Sequence, residues 1–517
     1  MRCSSPTASR AAPRPSSSRA ARACTSRRSS PSGSSAAPAA SPQYAPKRAR
    51  ETGRVTATDP ARIPEIAAGV RRAFDSGRTR PIAWRLRQLA ALEAMLVERE
   101  HELAAALHDD LGKSAAEAFV TELSVVRAEA ATARRRLRRW LRPRPVRTGL
   151  ALAPARAWTR YEPLGAVLII GPWNYPVQLL LAPLVGALAA GDAAVLKPSE
   201  LAPVTSALLA ELLPNHLDRE AIAVVEGGAA ETQALLAQRW DRIFYTGGGR
   251  VARIVARAAA EHLTPTTLEL GGKSPVYVDE GVDLAVAARR IAWGKFTNAG
   301  QTCVAPDYVL VAPGARDRLV RELGAAIAEL YGPDPLESPD YGRIVSRDHF
   351  DRLSALLGDG RIAVGGTSDP EGLRLAPTVL VDVDPASPVM QEEIFGPILP
   401  VLVTPGPREA IAFVRARPKP LALYTFTGSR RVRRAFARST SSGALVHGMT
   451  LAHLAIGELP FGGVGESGMG AYHGEASLRT FSHERAEAAK PLRPDTLALV
   501  YPPIGRAVMR LLRRLLP

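Results

Sequence analysis

The chain has 517 residues, 46% of them hydrophobic, three cysteines and a formal net charge of +17; it is long enough for two or three packed domains and too apolar for a wholly disordered protein. The charge does not describe a nucleic-acid groove: residues 1–58 hold eleven Lys/Arg and one acid, Glu51, a net of +10, so the other 459 residues carry 17 − 10 = +7, with no basic cluster interleaved with aromatics. Cys3 and Cys24 fall in the basic stretch, which leaves Cys303 as the single thiol of the remainder and excludes an internal disulfide there.

Residues 1–58 read as a disordered basic tail rich in Ser, Arg, Pro and Ala. The same composition fits an organellar leader or a start codon placed too far upstream. From Arg62 the pattern is helical, with Leu86, Leu89, Leu92, Leu96, Leu103 and Leu107 recurring about three or four residues apart. A second helix is expected over about 116–142, ending in RRRLRRW before Pro143, its arginines forming a solvated face.

Residues 164–191 carry no charge for 28 residues, enough to cross a bilayer, but Pro172, Pro176, Pro183 and the GPWNYP break divide them into a strand and a helix of a buried core. Strands and helices then alternate: AVLII, AAVLK, AIAVVE and RIFYT, each followed by a helix. That alternation predicts an α/β fold with a doubly wound parallel sheet, whose ligands bind beyond the C-terminal strand ends. A second α/β block opens with TTLELGGKSPVYVD and a helix over about 283–297, and continues through PTVLVDVD and ILPVLV to about residue 446. A glycine-rich stretch, LPFGGVGESGMGAYHG, occupies 459–474. The last residues place Arg506, Arg510, Arg513 and Arg514 on one helical face, with Val508, Leu512, Leu515 and Leu516 largely away from it.

Several short segments could carry chemistry. Cys303, in TNAGQTCVAP, is a candidate nucleophile. Asn174, in a turn after a strand, could donate its carboxamide N–H to an oxyanion. Glu269, at the end of a strand in apolar surroundings, could have the raised pKa of a general base. KPSE at 197–200 and the turn TGGG opening a helix after residue 246 suit a dinucleotide, since a helix N-terminus favours pyrophosphate. Taken singly, each has a plainer reading: a buried small thiol, a structural turn, an ion-paired glutamate, an ordinary glycine turn. No metal-ligating cluster is read.

Taken in order, PWNYP, KPSE, LELGGKSP, GQTC, QEEIFGP and PFGG resemble the aldehyde dehydrogenase superfamily over residues 60–490. SGRTRP at 76–81 and PFGGVGESGMGAYHG resemble its class 3 branch of fatty-, aromatic- and coniferyl-aldehyde dehydrogenases. The resemblance implies NAD(P)-dependent oxidation of an apolar aldehyde, aromatic or medium- to long-chain, to the acid through a cysteine thiohemiacetal and thioester. Cys303 would be the nucleophile, Glu269 the base and Asn174 an oxyanion donor. NAD or NADP would be held by Lys197, Glu200, Gly247, Glu393, Phe395 and Trp173. Tyr175, Phe461 and His473 fall near the substrate pocket.

The expected domains are a cofactor domain from 59–142 and 162–269, a catalytic domain from 270–446, a bridging oligomerisation element from 143–161 and 447–490, and a basic amphipathic tail from 491–517. A homodimer is expected, without nucleic acid, in the cytoplasm, its tail able to touch an anionic membrane weakly. An organellar location follows instead if residues 1–58 are a leader. One departure from the family stands out: Gly248 and Ala252 occupy positions where it usually has a polar residue and a glycine. Alternatives are a semialdehyde or CoA-acylating dehydrogenase, or a non-catalytic binding protein on the same fold.

Overall fold

The computed structural model describes residues 57–149 and 152–515; the tail expected over 1–58, apart from its last two residues, lies outside them, as does Leu516. The leucine periodicity becomes helices Ile82–Glu98 and Glu100–Leu111, with Leu89, Leu92, Leu96, Leu103 and Leu107 wholly buried. Each such side chain contributes about 1.5–3 kcal/mol by leaving water. Gly112, in the left-handed region at φ +68°, ends the second helix.

The helix expected over 116–142 differs in one respect. It comprises Ala115–Ala118 and Ser124–Trp140 joined by a π-helical turn, Phe119–Leu123. Side-chain periodicity gives no sign of such a turn, because the phase break of about 100° that one extra residue makes falls after only the four residues Ala115–Ala118. The arginines of RRRLRRW are exposed, while Leu137 and Trp140 face inward.

The first sheet has the spatial order Gly468–Met469, Thr266–Glu269, Arg242–Thr246, Ala166–Ile170, Ala193–Lys197, Ile222–Val224. The last five run parallel, and chain order reverses between Arg242–Thr246 and Ala166–Ile170. Such a reversal opens a crevice beyond the C-terminal strand ends. Register aligns those ends: Ile170 faces Lys197 and Tyr245, and Thr246 faces Glu269. Gly468 and Met469, from the glycine-rich stretch, add an antiparallel edge opposite Glu269 and Leu268. Residues 164–191 resolve into the buried strand Ala166–Ile170 and the buried helix Gln178–Ala190. No described helix is long and apolar enough to cross a membrane.

The second sheet has the order Arg361–Val364, Thr378–Val381, Ile398–Val403, Tyr308–Val311, Pro275–Val278, Ala422–Phe426, Ala444–His447, parallel except at its first edge. Cys303 precedes Tyr308–Val311, Glu393 and Phe395 precede Ile398–Val403, and Gly271 precedes Pro275–Val278. All four therefore lie at the N-terminal edge of this sheet. A third, antiparallel sheet joins Arg144–Val146, Arg156–Pro163 and Ser482–Ala489.

Candidate active site

The C-terminal edge of the first sheet and the N-terminal edge of the second wall one cleft, shared by Asn174, Gly247, Glu269, Cys303, Glu393 and Phe395. A second cavity is lined mainly by apolar side chains, among them Val120, Val125, Trp293 and Leu454. Cys303, Leu179, Phe461 and Tyr472 line both. The thiol therefore stands where a polar, glycine-rimmed cleft meets an apolar one.

Helix Leu284–Phe296 delivers Cys303 through a tight segment in which Asn298, Ala299 and Gly300 all take positive φ. Gly300 has no room for a side chain, since a Cβ would lie 2.2 Å from the Gly396 carbonyl oxygen. Cys303 is a free thiol, pushed up to about 12 by burial and by the facing carboxyls of Glu393 and Glu269, while the backbone N–H groups of Cys303 and Val304 act in the opposite sense.

Glu269 closes its strand almost fully buried, and neither carboxyl oxygen has a hydrogen-bond partner. Burial holds its pKa well above the usual carboxylate range. Asn174, also buried, donates one Nδ2–H to the Gln301 carbonyl (3.0 Å), which leaves its second Nδ2 hydrogen. The Asn174 carbonyl accepts from Asn298 Nδ2 (2.8 Å) and Lys113 Nζ (3.0 Å).

Around the cleft, Gly247 donates its N–H to the Glu269 carbonyl (3.0 Å), and a Cβ there would lie 2.4 Å from Tyr245 Oη. Gly248 caps helix Gly249–Glu261, whose N-terminus opens on the cleft. Trp173 meets Phe395 edge-on with centroids 5.3 Å apart, and Phe395 holds φ +49°. The Glu393 carboxyl rests on Gly271, accepts from the Gly272 N–H, and is pushed up to about 8 by burial and Asp307. Lys197 and Glu200 line neither cavity. They form an ion pair (2.9 Å) at the end of the neighbouring strand, whose Lys197 carbonyl accepts from Gly171 N.

On the apolar side, Tyr175 Oη and Thr302 Oγ1 are 2.7 Å apart. Phe461 stacks on His473, with centroids 5.6 Å apart. His473 is held at φ +79° and lowered to about 4 by burial and His453, so it is neutral at neutral pH. Sequence reasoning missed Lys113, Glu122, Asn298 and Gly271. Asn298 and Gly271 lie inside the motifs TNAGQTCVAP and LELGGKSP, whereas Lys113 and Glu122 carry no local signal.

A nicotinamide dinucleotide fits this cleft on its own chemistry. The rim offers a helix N-terminus and a glycine turn for phosphate, Thr246 Oγ1 is a buried hydroxyl without a partner, and Lys197 lies at the same sheet edge. Among the described residues, no group of three or more His, Cys, Asp or Glu is placed to hold a metal ion.

The family model for the aldehyde dehydrogenase family matches residues 34–486. Aldehyde dehydrogenase family 3 member B1 of Homo sapiens is 50% identical over 444 residues, 86% of this chain and 95% of that protein. The dimeric NADP-preferring aldehyde dehydrogenase of Canis lupus familiaris is 46% identical over 444 residues, 86% of this chain and 98% of that protein. The solved substrate-bound AldH of Staphylococcus aureus is 42% identical, with a TM-score of 0.86, covering 88% of this chain and 99% of that one.

Proposed function

Because this chain belongs to the aldehyde dehydrogenase family, it oxidises aldehydes to carboxylic acids with NAD or NADP, and we propose that it does so through a thiohemiacetal and then a thioester on Cys303. The observation that carries this reading is the position of Cys303 at the junction of the polar and apolar cavities. An apolar aldehyde, aromatic or aliphatic, fills the apolar side and brings its carbonyl carbon to Sγ.

Attack by the Cys303 thiolate turns the carbonyl oxygen into an oxyanion, which the free Nδ2–H of Asn174 and the backbone N–H of Cys303 hold. Each such donor lowers the barrier by about 3 kcal/mol. A bound coenzyme would supply the acceptor for the hydride leaving this carbon. Glu393 and Phe395, with Trp173, would hold its nicotinamide half, Gly247 and its helix the pyrophosphate, and Lys197 and Glu200 the adenosine ribose. Glu269 then takes a proton from water as that water attacks the thioester, releasing the acid and restoring the thiol. The unpartnered oxygens of Glu269 favour this hydrolytic outcome over acyl transfer to CoA.

The test is formation of reduced coenzyme with NAD and with NADP across benzaldehyde, coniferaldehyde, hexanal and hexadecanal, beside Cys303→Ala. Turnover lost in the variant supports the mechanism, and turnover that survives overturns it.

The chain is also proposed to form a homodimer. One relative is named as dimeric, and strand Ser482–Ala489, exposed along most of its length, pairs with Arg156–Pro163. Light scattering that finds a stable tetramer would refute this. At the other end, helix Arg506–Leu515 exposes Arg506, Arg510, Arg513 and Arg514 while Leu512 is buried. Its proposed role, for a cytoplasmic protein, is a weak, charge-driven contact with an anionic membrane. Truncation after Pro503 should abolish co-sedimentation with anionic liposomes; unchanged binding sinks the idea.

A further inference from the structure

We propose that the buried ion pair Lys113–Glu122 is a positioning device that aims Asn174 at the reacting carbonyl oxygen; this rests on the oxyanion role proposed for Asn174. Both side chains are fully buried and joined at 2.6 Å. Their remaining hydrogen-bonding capacity is spent on one turn. Lys113 Nζ donates to the Asn174 carbonyl (3.0 Å) and stands 3.9 Å from the centroid of the Tyr175 ring. Glu122 Oε2 accepts from the backbone N–H of Val177 (2.9 Å) and of Gln178 (3.1 Å), the start of helix Gln178–Ala190. The pair thus grips the turn on both sides of Asn174 and Tyr175. Asn298 supplies a second donor to the same Asn174 carbonyl, and Gln301 takes one carboxamide hydrogen. The other hydrogen is left with a defined direction.

Stability alone is a poor account of this arrangement. A buried ion pair is often no better than an apolar pair of the same volume, because desolvation offsets the attraction. Glu122 also sits in the π-helical turn Phe119–Leu123, a rare geometry that recurs at functional sites. The same turn presents Val120 and Thr121 to the apolar cavity. One irregular turn therefore walls the substrate side while its next residue fixes the oxyanion side.

The test is the combined variant Lys113→Met/Glu122→Gln, which leaves no unpaired charge, where either single change would. Its kcat with aldehyde should fall at least about tenfold, as misplacement of a catalytic group by a fraction of an ångström does, with coenzyme KM within about twofold. Hydrolysis of an activated ester without coenzyme, which needs Cys303 and the oxyanion donors but no hydride acceptor, should fall by the same factor. Added to Asn174→Ala, the pair of changes should lower kcat no further. A combined variant as fast as the parent while Asn174→Ala is slow overturns the positioning role alone, and so does a further, multiplicative loss in the triple variant. Full activity in Asn174→Ala overturns the oxyanion reading beneath it, and the role of the pair with it.

Discussion

Gly271 is the shelf under the Glu393 carboxyl, so Gly271→Ala tests the coenzyme grip at little cost to the fold. The added Cβ would lie 1.9 Å from Glu393 Oε2 and 2.5 Å from both Cδ and Oε1. The carboxyl must retreat by roughly 1.5 Å to regain van der Waals contact. Gly271 is not among the positive-φ glycines, so alanine suits its backbone, and the group that yields is the far end of a flexible side chain. Stability should stay within about 1 kcal/mol of the parent. The retreat breaks the bond from Gly272 N–H and withdraws Glu393 from the nicotinamide ribose. A lost hydrogen bond to a group of this kind costs about 1.5–3 kcal/mol, which is a roughly 10- to 150-fold rise in coenzyme Kd. Titration of NADH fluorescence reads this, with coenzyme-free ester hydrolysis as the control that should not move. Affinity within twofold of the parent would refute the reasoning.

Further outcomes follow from the same geometry. Glu269→Gln should still give a burst of reduced coenzyme in the first turnover, while the steady-state rate falls about 10²- to 10⁴-fold because the thioester lacks its base; equal losses in both phases would assign Glu269 another role. The raised pKa of Glu269 means that the stability its neutral form contributes is present below the ordinary carboxylate range and lost as pH rises through the shifted value. Glu269→Gln should therefore raise Tm more at about pH 8 than at about pH 5. With the Cys303 thiol pushed up by burial and by the facing Glu393 and Glu269 carboxyls, little of the enzyme carries thiolate at about pH 8 without coenzyme. Alkylation by iodoacetamide should thus be slow and rise with pH, and it should shift to lower pH in Glu269→Gln, which removes a facing carboxylate; an unshifted profile argues against that contact. Gly248→Ser has room for its side chain at an N-cap that now lacks a side-chain bond and should stabilise by a few tenths of a kcal/mol. Chemical denaturation showing a loss above about 1 kcal/mol would contradict the open geometry.

Much of the molecule was legible because its signals are local. Short apolar runs such as AVLII and AAVLK cannot be solvated on either face, so they become interior parallel strands. The prolines and glycine clustered in GPWNYP favour a turn and end the strand Ala166–Ile170 there. Asn174, Lys197 and Gly247 were expected just beyond strand ends, and Glu269 at the end of a strand opening the second block. Pairing instead puts Thr266–Glu269 in the first sheet, where register sets Glu269 opposite Thr246 and Lys197 opposite Ile170.

Tertiary structure alone decided the rest, because it depends on neighbours distant in the chain. No pattern in residues 116–142 announces a π-helical turn. Its consequence, Glu122 turned toward Lys113 and the N–H groups of Val177 and Gln178, exists only once three segments have packed. The reach of Gly468 across to Glu269 is likewise a matter of strand pairing, and so is the shelf that Gly271 provides for Glu393. Sequence determined which groups stand at each strand end, since burial and turn chemistry act over a few residues. Packing determined which way those groups point and how readily they ionise, since orientation and desolvation are properties of the closed cleft.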